Sequence, residues 1–224
     1  MKQNERKLFK ELCKFTSDAF DETVIDSASE HVLGYLFFNR MQAIAYGTLK
    51  KHKLLGKVSR EFRNSLKSAY EQNVEKNRSF FKCVDYVSNI LSQYKGKAAM
   101  LKGAFLCAHY PEGYRTSNDI DLLVLPEDVT EIGKRLTDEG FKQGNIRNGV
   151  FVPASRREII ESKMMRGETV PYIKEVSLPF MKYLEVDINF SLDYKNGDNE
   201  TLKNILDRTC NVEQQGIQIG RAHV

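Results

Sequence analysis

The chain has 224 residues, of which 41% are hydrophobic and 29% charged, and its formal net charge is +4. These values are typical of a globular protein with one domain or two small ones, and they exclude a disordered chain. No apolar run approaches the roughly 20 residues of a membrane-spanning helix. The polar segment 1–6 does not predict a secretory signal, so we expect a cytoplasmic protein without a membrane partner.

The first part of the chain carries a helical pattern. Apolar residues recur at three- and four-residue spacing, beginning with Val32, Leu36 and Met41, and a second long run extends from Phe62 to Leu91. Few glycines or prolines interrupt these runs before residue 95. The pattern predicts an all-helical region over residues 1–95.

After Gly96 the hydrophobic period changes. Residues 98–101 form a short apolar run that predicts a strand, and residues 104–109 suit a short helix. Residues 119–125 predict a second strand, followed by a helix that starts at Pro126. Residues 183–190 alternate strictly between apolar and polar side chains, as a half-buried strand does. This alternation of strands and helices predicts an α/β domain over residues 96–224, and therefore an α+β protein.

The second predicted strand begins with Asp119 and Asp121. Side chains two residues apart on a strand share a face, and Leu123 and Leu125 continue that face with apolar groups. The two carboxylates therefore lie where a buried strand gives way to a cleft. Like charges this close call for a shared proton, a cationic partner or a divalent metal, and we favour a metal. The alternative is that Asp119 caps a turn and Asp121 is a solvated edge residue.

Several short motifs occur in an order that resembles a known family. They are Lys102-Gly103, Tyr110-Pro111, Arg115, the acidic strand at residues 119–124, Glu139-Gly140-Phe141 and Glu185-Val186-Asp187. The order is similar to that of DNA polymerase β-type nucleotidyltransferases, specifically a bacterial branch of uncharacterised nucleotidyltransferases, over about residues 30 to 200. The resemblance implies a mixed sheet with helices on one side, preceded by the helical region.

The resemblance also implies roles for three acids. Asp119 and Asp121 take the places of two metal-binding carboxylates, and Asp187 fits the third place, with Glu185 on the same face as the alternative. Carboxylates suit Mg²⁺ or Mn²⁺, which are hard cations that prefer oxygen ligands. Two such ions, roughly 4 Å apart, can clamp the attacking and leaving oxygens of a displacement at phosphorus.

Five further residues are predicted to contact the substrate. Gly103 allows the backbone to approach a phosphate, and the helix that starts at Ala104 offers free amides. In the wider superfamily a serine commonly follows this glycine, so Ala104 removes a hydroxyl contact. Lys102 and Arg115 supply positive charge, although either could be a solvated surface residue. Asn118 could contact the substrate or cap the turn before the acids.

The implied activity is transfer of a nucleoside monophosphate from an NTP such as ATP to a hydroxyl of an unknown small molecule or protein, with release of pyrophosphate. A catalytically weak nucleotide-binding module, regulatory or antitoxin-like, is the alternative. It is favoured by Ala104 and by an expected shortening at the C-terminus, because relatives continue into further helices. A third interpretation is a structural α/β protein with acids on its surface.

Two other groups of residues carry weaker predictions. The basic residues at 50–53, with Lys57, Arg60 and Arg63, lack interleaved aromatic side chains, so we expect a solvated helix surface and no nucleic-acid partner. The cysteines have no spacing typical of a zinc site and are predicted to be reduced thiols: Cys13, Cys83, Cys107 and Cys210. The sequence leaves the oligomeric state open.

Overall fold

The structure is a computed structural model that describes residues 2–191, 199–214 and 217–222. The helices in these ranges are α1 (Gln3–Leu12), α2 (Glu30–Phe38), α3 (Gln42–Lys51), α4 (Arg60–Leu91), α5 (Gly103–His109), α6 (Val129–Asp138), α7 (Arg156–Met165) and α8 (Asn199–Asp207), with short 3-10 helices at Glu22–Ser27 and Pro126–Asp128. The strands are β1 (Ala98–Leu101), β2 (Asp119–Val124), β3 (Lys142–Arg147), β4 (Val150–Pro153), β5 (Tyr172–Leu178), β6 (Met181–Asn189), β7 (Cys210–Gln214) and β8 (Ile217–Ala222).

The chain divides into two compact units. The first comprises Met1–Asn77 and Tyr110–Thr116, and it contains α1 to α3 and the first part of α4. Helix α2 begins where the Ser29 hydroxyl accepts a hydrogen bond from the Val32 amide, which satisfies an otherwise free donor of the first turn. The core of this first unit is built from apolar helix faces whose residues recur at three- and four-residue spacing, including Leu8, Leu12, Val32, Leu36, Leu49 and Leu66.

The second unit comprises Arg78–His109 and Ser117–Val224 and contains the sheet. The division falls inside α4 because the C-terminal turns of that helix supply Phe80, Val84 and Val87 to the core of the second unit. The change from helices to strands near residue 95 agrees with the sequence pattern. The assignment of residues 1–95 and 96–224 as separate domains stays a prediction.

The described strands form one mixed sheet in the order β4-β3-β5-β6-β2-β1-β8-β7. Strand β2 pairs antiparallel with β1 and parallel with β6, and β5 pairs antiparallel with β6. Strand β8 lies parallel beside β1. The mixed sheet and the preceding helices confirm the predicted α+β class.

The sheet carries helices on both faces, whereas the resemblance implied helices on one side. Ile120, Leu122 and Val124 of β2 pack into a large core with residues of α4, α5 and α6. On the opposite face, Leu123 packs with Leu202 and Leu206 of α8. Leu123 is the apolar continuation of the face that carries Asp119 and Asp121, so those two acids lie where this smaller apolar cluster ends.

Two other predictions concern the whole chain. None of the helices in the described ranges is long and apolar enough to cross a membrane. Cys13, Cys83 and Cys107 form no disulfide, as predicted, while Cys210 lies outside the described side chains. The predicted C-terminal shortening concerns residues 216–224, of which Gly216, His223 and Val224 lie outside the described residues, and it stays a prediction.

Candidate active site

Four carboxylates project from neighbouring positions on β2 and β6. In the parallel register of these strands, Asp119 lies opposite Glu185 and Asp121 lies opposite Asp187. Directly opposed residues, and residues two apart on one strand, share a face of the sheet. The four residues, which we call the carboxylate array, therefore form a single acidic group.

Two side-chain donors hold the acids of β2. The Ser117 hydroxyl donates to Oδ1 of Asp119 over 2.6 Å, and the Lys102 ammonium donates to Oδ1 of Asp121 over 3.1 Å. The side chain of Asp121 is only 10% exposed, whereas that of Lys102 is 67% exposed. A carboxylate this buried is stable only with a partner, and Lys102 is that partner.

The surroundings of Glu185 and Asp187 on β6 disfavour the charged form of both carboxyl groups. Burial, followed by the charges of Asp121 and Asp119, raises the pKa of Asp187 from 3.8 to about 7. Burial and then Asp119 also raise the pKa of Glu185. The pKa of Lys102 is raised, chiefly by its hydrogen bond to Asp121. The array thus holds more negative charge than one ammonium offsets, and Asp187 gains or loses a proton near neutral pH.

The loop between β1 and α5 brings the backbone close to the array. A Cβ added at Gly103 would lie 2.5 Å from Oγ of Ser117 and 3.3 Å from the carbonyl oxygen of Asp119. Only a glycine therefore fits without displacing Ser117, the residue that orients Asp119. Ala104 is fully buried in the core of the second unit, so it contributes backbone alone to this loop.

The donor set of the array suits Mg²⁺ or Mn²⁺, because all four side chains offer carboxylate oxygens. Within the described ranges, however, no three or more His, Cys, Asp or Glu side chains gather around a point that could hold a metal ion. Asp119 and Asp121 point instead to Ser117 and Lys102. The carboxylate chemistry and the excess negative charge fit a divalent cation, and a cation bound at Oδ1 of Asp119 or Asp121 would compete with these two donors.

Residues 27–224 match the model of a protein family described as uncharacterised nucleotidyltransferase. The chain belongs to this family. The match includes Lys102 and the whole carboxylate array, and it confirms the resemblance inferred from the order of the motifs. Membership supports a generic role in nucleotidyl transfer and implies a nucleoside triphosphate donor. Searches of curated proteins and of solved structures gave no match.

Two predicted polar residues, Arg115 and Asn118, lie outside the group of contacting side chains. Arg115 is exposed and belongs to the first compact unit. Asn118 is exposed, and its carbonyl oxygen accepts a hydrogen bond of 3.4 Å from the Glu185 amide, which joins β2 to β6. His109, which the sequence does not mark as a site residue, ends α5, where its Nδ1 lies 2.8 Å from the carbonyl oxygen of Phe105.

The sequence pattern does not mark two polar residues near the carboxylate array, Ser117 and Glu168. Ser117 orients Asp119, and its only signal in the sequence is its position two residues before that acid. The backbone of Glu168 forms an isolated antiparallel β-bridge with Asn189 of β6. Its carboxylate adds to the negative charge that raises the pKa of Asp187. No motif of the sequence marks Glu168, because the bridge joins segments that the sequence pattern does not connect.

Three of the basic residues near α3, Lys51, Lys57 and Arg63, have partners within the first unit. Lys51 forms an ion pair of 2.8 Å with Asp18, and Lys57 forms one of 3.2 Å with Glu22. Arg63 donates to the carbonyl oxygen of Leu55. These contacts agree with the predicted solvated helix surface.

Proposed function

We propose that this protein is a metal-dependent nucleotidyltransferase that moves a nucleoside monophosphate from an NTP to a hydroxyl of a small-molecule or protein acceptor and releases pyrophosphate. The observation that carries the proposal is the carboxylate array, in which Asp121 and Asp187 lie opposite each other on parallel strands. Family membership supports the same reaction class.

Asp119, Asp121 and Asp187 are the residues that would hold Mg²⁺ or Mn²⁺. When bound, the cation supplies positive charge that offsets the negative charge of the triphosphate and of the departing pyrophosphate. Asp187 is favoured over Glu185 as the third acid because both acids of β2 raise its pKa, whereas only Asp119 does so for Glu185.

In the proposed reaction, the acceptor hydroxyl oxygen forms a bond to the α-phosphorus of the NTP. The bond between that phosphorus and the oxygen leading to the β-phosphorus breaks, and pyrophosphate leaves with the electron pair. Asp187 would either position a second metal ion or accept the hydroxyl proton on its carboxylate. Because the array is part of the sheet, its acids are held by two paired strands rather than by a loop.

The triphosphate would be bound by the turn from β1 into α5 and by further polar residues. Lys102 supplies an ammonium for phosphate oxygens, and Gly103 and Ala104 offer backbone without a side chain that blocks the approach. Arg115 and Asn118, both exposed, remain the other proposed substrate contacts. Lys102 is supported most directly, because it already contacts the array.

The proposal is tested by incubating the protein with each α-labelled NTP, Mg²⁺ or Mn²⁺, and a cell extract as the source of acceptors. We expect a labelled product that is absent with the double variant Asp119→Asn/Asp121→Asn. The variant Asp138→Asn is the matched control, since Asp138 is an exposed aspartate at the end of α6 and should leave labelling unchanged. Equal labelling by the wild type and the double variant would refute the proposal.

A nucleotide-binding module without efficient transfer is the second candidate. It is favoured by Ala104, whose buried methyl group replaces the hydroxyl that commonly follows this glycine in the superfamily. Calorimetric titration with NTP and Mg²⁺ separates the two functions. Binding that depends on Asp119 and Asp121, without transfer of label under any acceptor condition, identifies a binding module; binding accompanied by transfer identifies the enzyme.

A further inference from the structure

The ion pair between Lys102 and Asp121 places a cation of the protein on an acid proposed to bind metal. We propose that Lys102 takes the place of a metal ion by neutralising Asp121 in the metal-free protein. When metal and nucleotide bind, its ammonium leaves Asp121 and pairs with the triphosphate. This inference rests on the proposed function and adds to it a coupling between metal binding and triphosphate binding.

The burial of the two partners is unequal in a way that permits this exchange. Asp121 is fixed in β2, opposite Leu101 of β1, with its side chain 10% exposed. A buried carboxylate needs a cation or hydrogen-bond donors, so Asp121 cannot remain unpaired. The Lys102 side chain is 67% exposed, and therefore its ammonium can move away without uncovering the core.

The backbone conformation at Lys102 would favour glycine, which indicates that a lysine at this position serves the site and not the turn. Its φ of 41° lies in the left-handed region, which is unfavourable for a residue with a Cβ and which a glycine adopts freely. The next residue, Gly103, is held against Ser117 and the carbonyl of Asp119, so the turn has little freedom to relax. Backbone strain of this kind is found at functional sites when the surroundings enforce it.

Lys102 and a metal ion would compete for the same oxygen atom of Asp121. Oδ1 of Asp121 accepts from Lys102, and a metal ion bound by that oxygen would meet the ammonium as a like charge. A metal ion bound at that oxygen without nucleotide would therefore displace Lys102 into solvent. Metal accompanied by a triphosphate offers the ammonium new anionic oxygens, so the two bind together more favourably than the metal alone.

The test is the affinity for Mn²⁺ alone, measured by electron paramagnetic resonance at fixed pH without nucleotide. Lys102→Gly removes the charge and fits the positive φ, Lys102→Met removes the charge but keeps a long side chain, and Lys102→Arg keeps the charge. Lys97→Met is the matched control, because Lys97 also pairs with a carboxylate of the second unit, that of Asp207, away from the array. Asp121→Asn reports whether the binding occurs at this site.

We expect Lys102→Gly and Lys102→Met to bind Mn²⁺ about twofold to fivefold more tightly than the wild type, a size typical of a partly exposed ion pair. Lys102→Arg and Lys97→Met should match the wild type, and Asp121→Asn should lose the site. In the presence of Mg²⁺, the two neutral variants should bind inorganic triphosphate more weakly.

Two results overturn the inference and differ in what they mean for the proposed function. If the neutral variants bind Mn²⁺ with wild-type or weaker affinity while Asp121→Asn still abolishes binding, the metal site exists but Lys102 does not compete for it. If neither the wild type nor any neutral variant binds Mn²⁺ through Asp121, the metal-dependent function fails as well. Unchanged affinity for triphosphate in both neutral variants would refute the exchange to phosphate.

Discussion

Gly103 lies so close to Ser117 that its surroundings leave no room for a larger side chain. We predict that Gly103→Ala displaces Ser117 from Asp119, because the added methyl group would lie 2.5 Å from the serine oxygen. The clash should lower the free energy of unfolding by about 1–3 kcal/mol and reduce metal-dependent activity more than tenfold. Urea denaturation and the labelling assay measure the two effects.

Gly34→Ala is the control for this substitution. Gly34 lies inside α2, and a Cβ added there meets nothing within 4 Å. Alanine favours a helix interior over glycine by roughly 0.5–1 kcal/mol, so this variant should be as stable as the wild type or more so. Wild-type stability and activity in Gly103→Ala would contradict the close packing at the site.

Asp187 makes the stability of the metal-free protein depend on pH. Its pKa is raised to about 7 in the folded protein, so the folded state keeps a proton that the unfolded state releases above its usual pKa of 3.8. The stabilisation is complete below that lower value and is lost as the pH rises through 7. Asp187→Asn cannot ionise, and with EDTA at pH 8 we expect it to be more stable than the wild type by about 2 kcal/mol, after allowance for partial exposure.

Chemical denaturation at pH 5 and pH 8 measures this difference, which should grow as the pH rises. Asp138→Asn, at the exposed end of α6, should behave as the wild type at both values. A lower stability of Asp187→Asn at pH 8 in EDTA would contradict the assignment of a destabilising charge to Asp187.

At the scale of secondary-structure elements, the sequence predicts the segments whose patterns are locally complete. The strand at Ala98–Leu101 was predicted with its observed bounds, because a compact apolar run ends at the Lys102-Gly103 step. Helix α5 and strands β2 and β6 lie within two residues of the predicted bounds. The face shared by Asp119 and Asp121 follows from strand periodicity alone.

Other elements depend on partners that are distant or irregular. The polar residues of β3 pair antiparallel with β4 and β5, and nothing local marks that pairing. Strand β5 joins β6 through a register shift with positive φ at Ser177 and Phe180, which are unusual residues for that conformation. The contact between Lys102 and Asp121 likewise requires the register of β1 on β2, which the sequence does not specify.

Helix α8 supports the face of the sheet that carries the array. Leu206 is fully buried against Leu123, and we predict that Leu206→Ala lowers the free energy of unfolding by about 2–4 kcal/mol. Lys203→Ala on the exposed side of α8 should change it by less than about 0.5 kcal/mol. Equal effects of the two variants in urea denaturation would show that α8 does not pack on this face.

At the scale of the whole molecule, the side chains that contact one another in the candidate site all come from the second compact unit. Lys102, Ser117 and the carboxylate array lie in its two segments, while Arg115 belongs to the first unit. The proposed metal and triphosphate chemistry can therefore be derived from one sheet and its adjoining loop. The acceptor, which the array does not define, has to be found by experiment.

The most direct test of the central claim compares ATP labelled at the α-phosphorus with ATP labelled at the γ-phosphorus, each incubated with protein, Mg²⁺ and the extract of acceptors. The proposed reaction predicts that the α label enters an acceptor, that the γ label leaves in pyrophosphate, and that Asp121→Asn abolishes both. Transfer of the γ label to an acceptor, or transfer of the α label that persists in Asp121→Asn, would contradict nucleotidyl transfer by the carboxylate array.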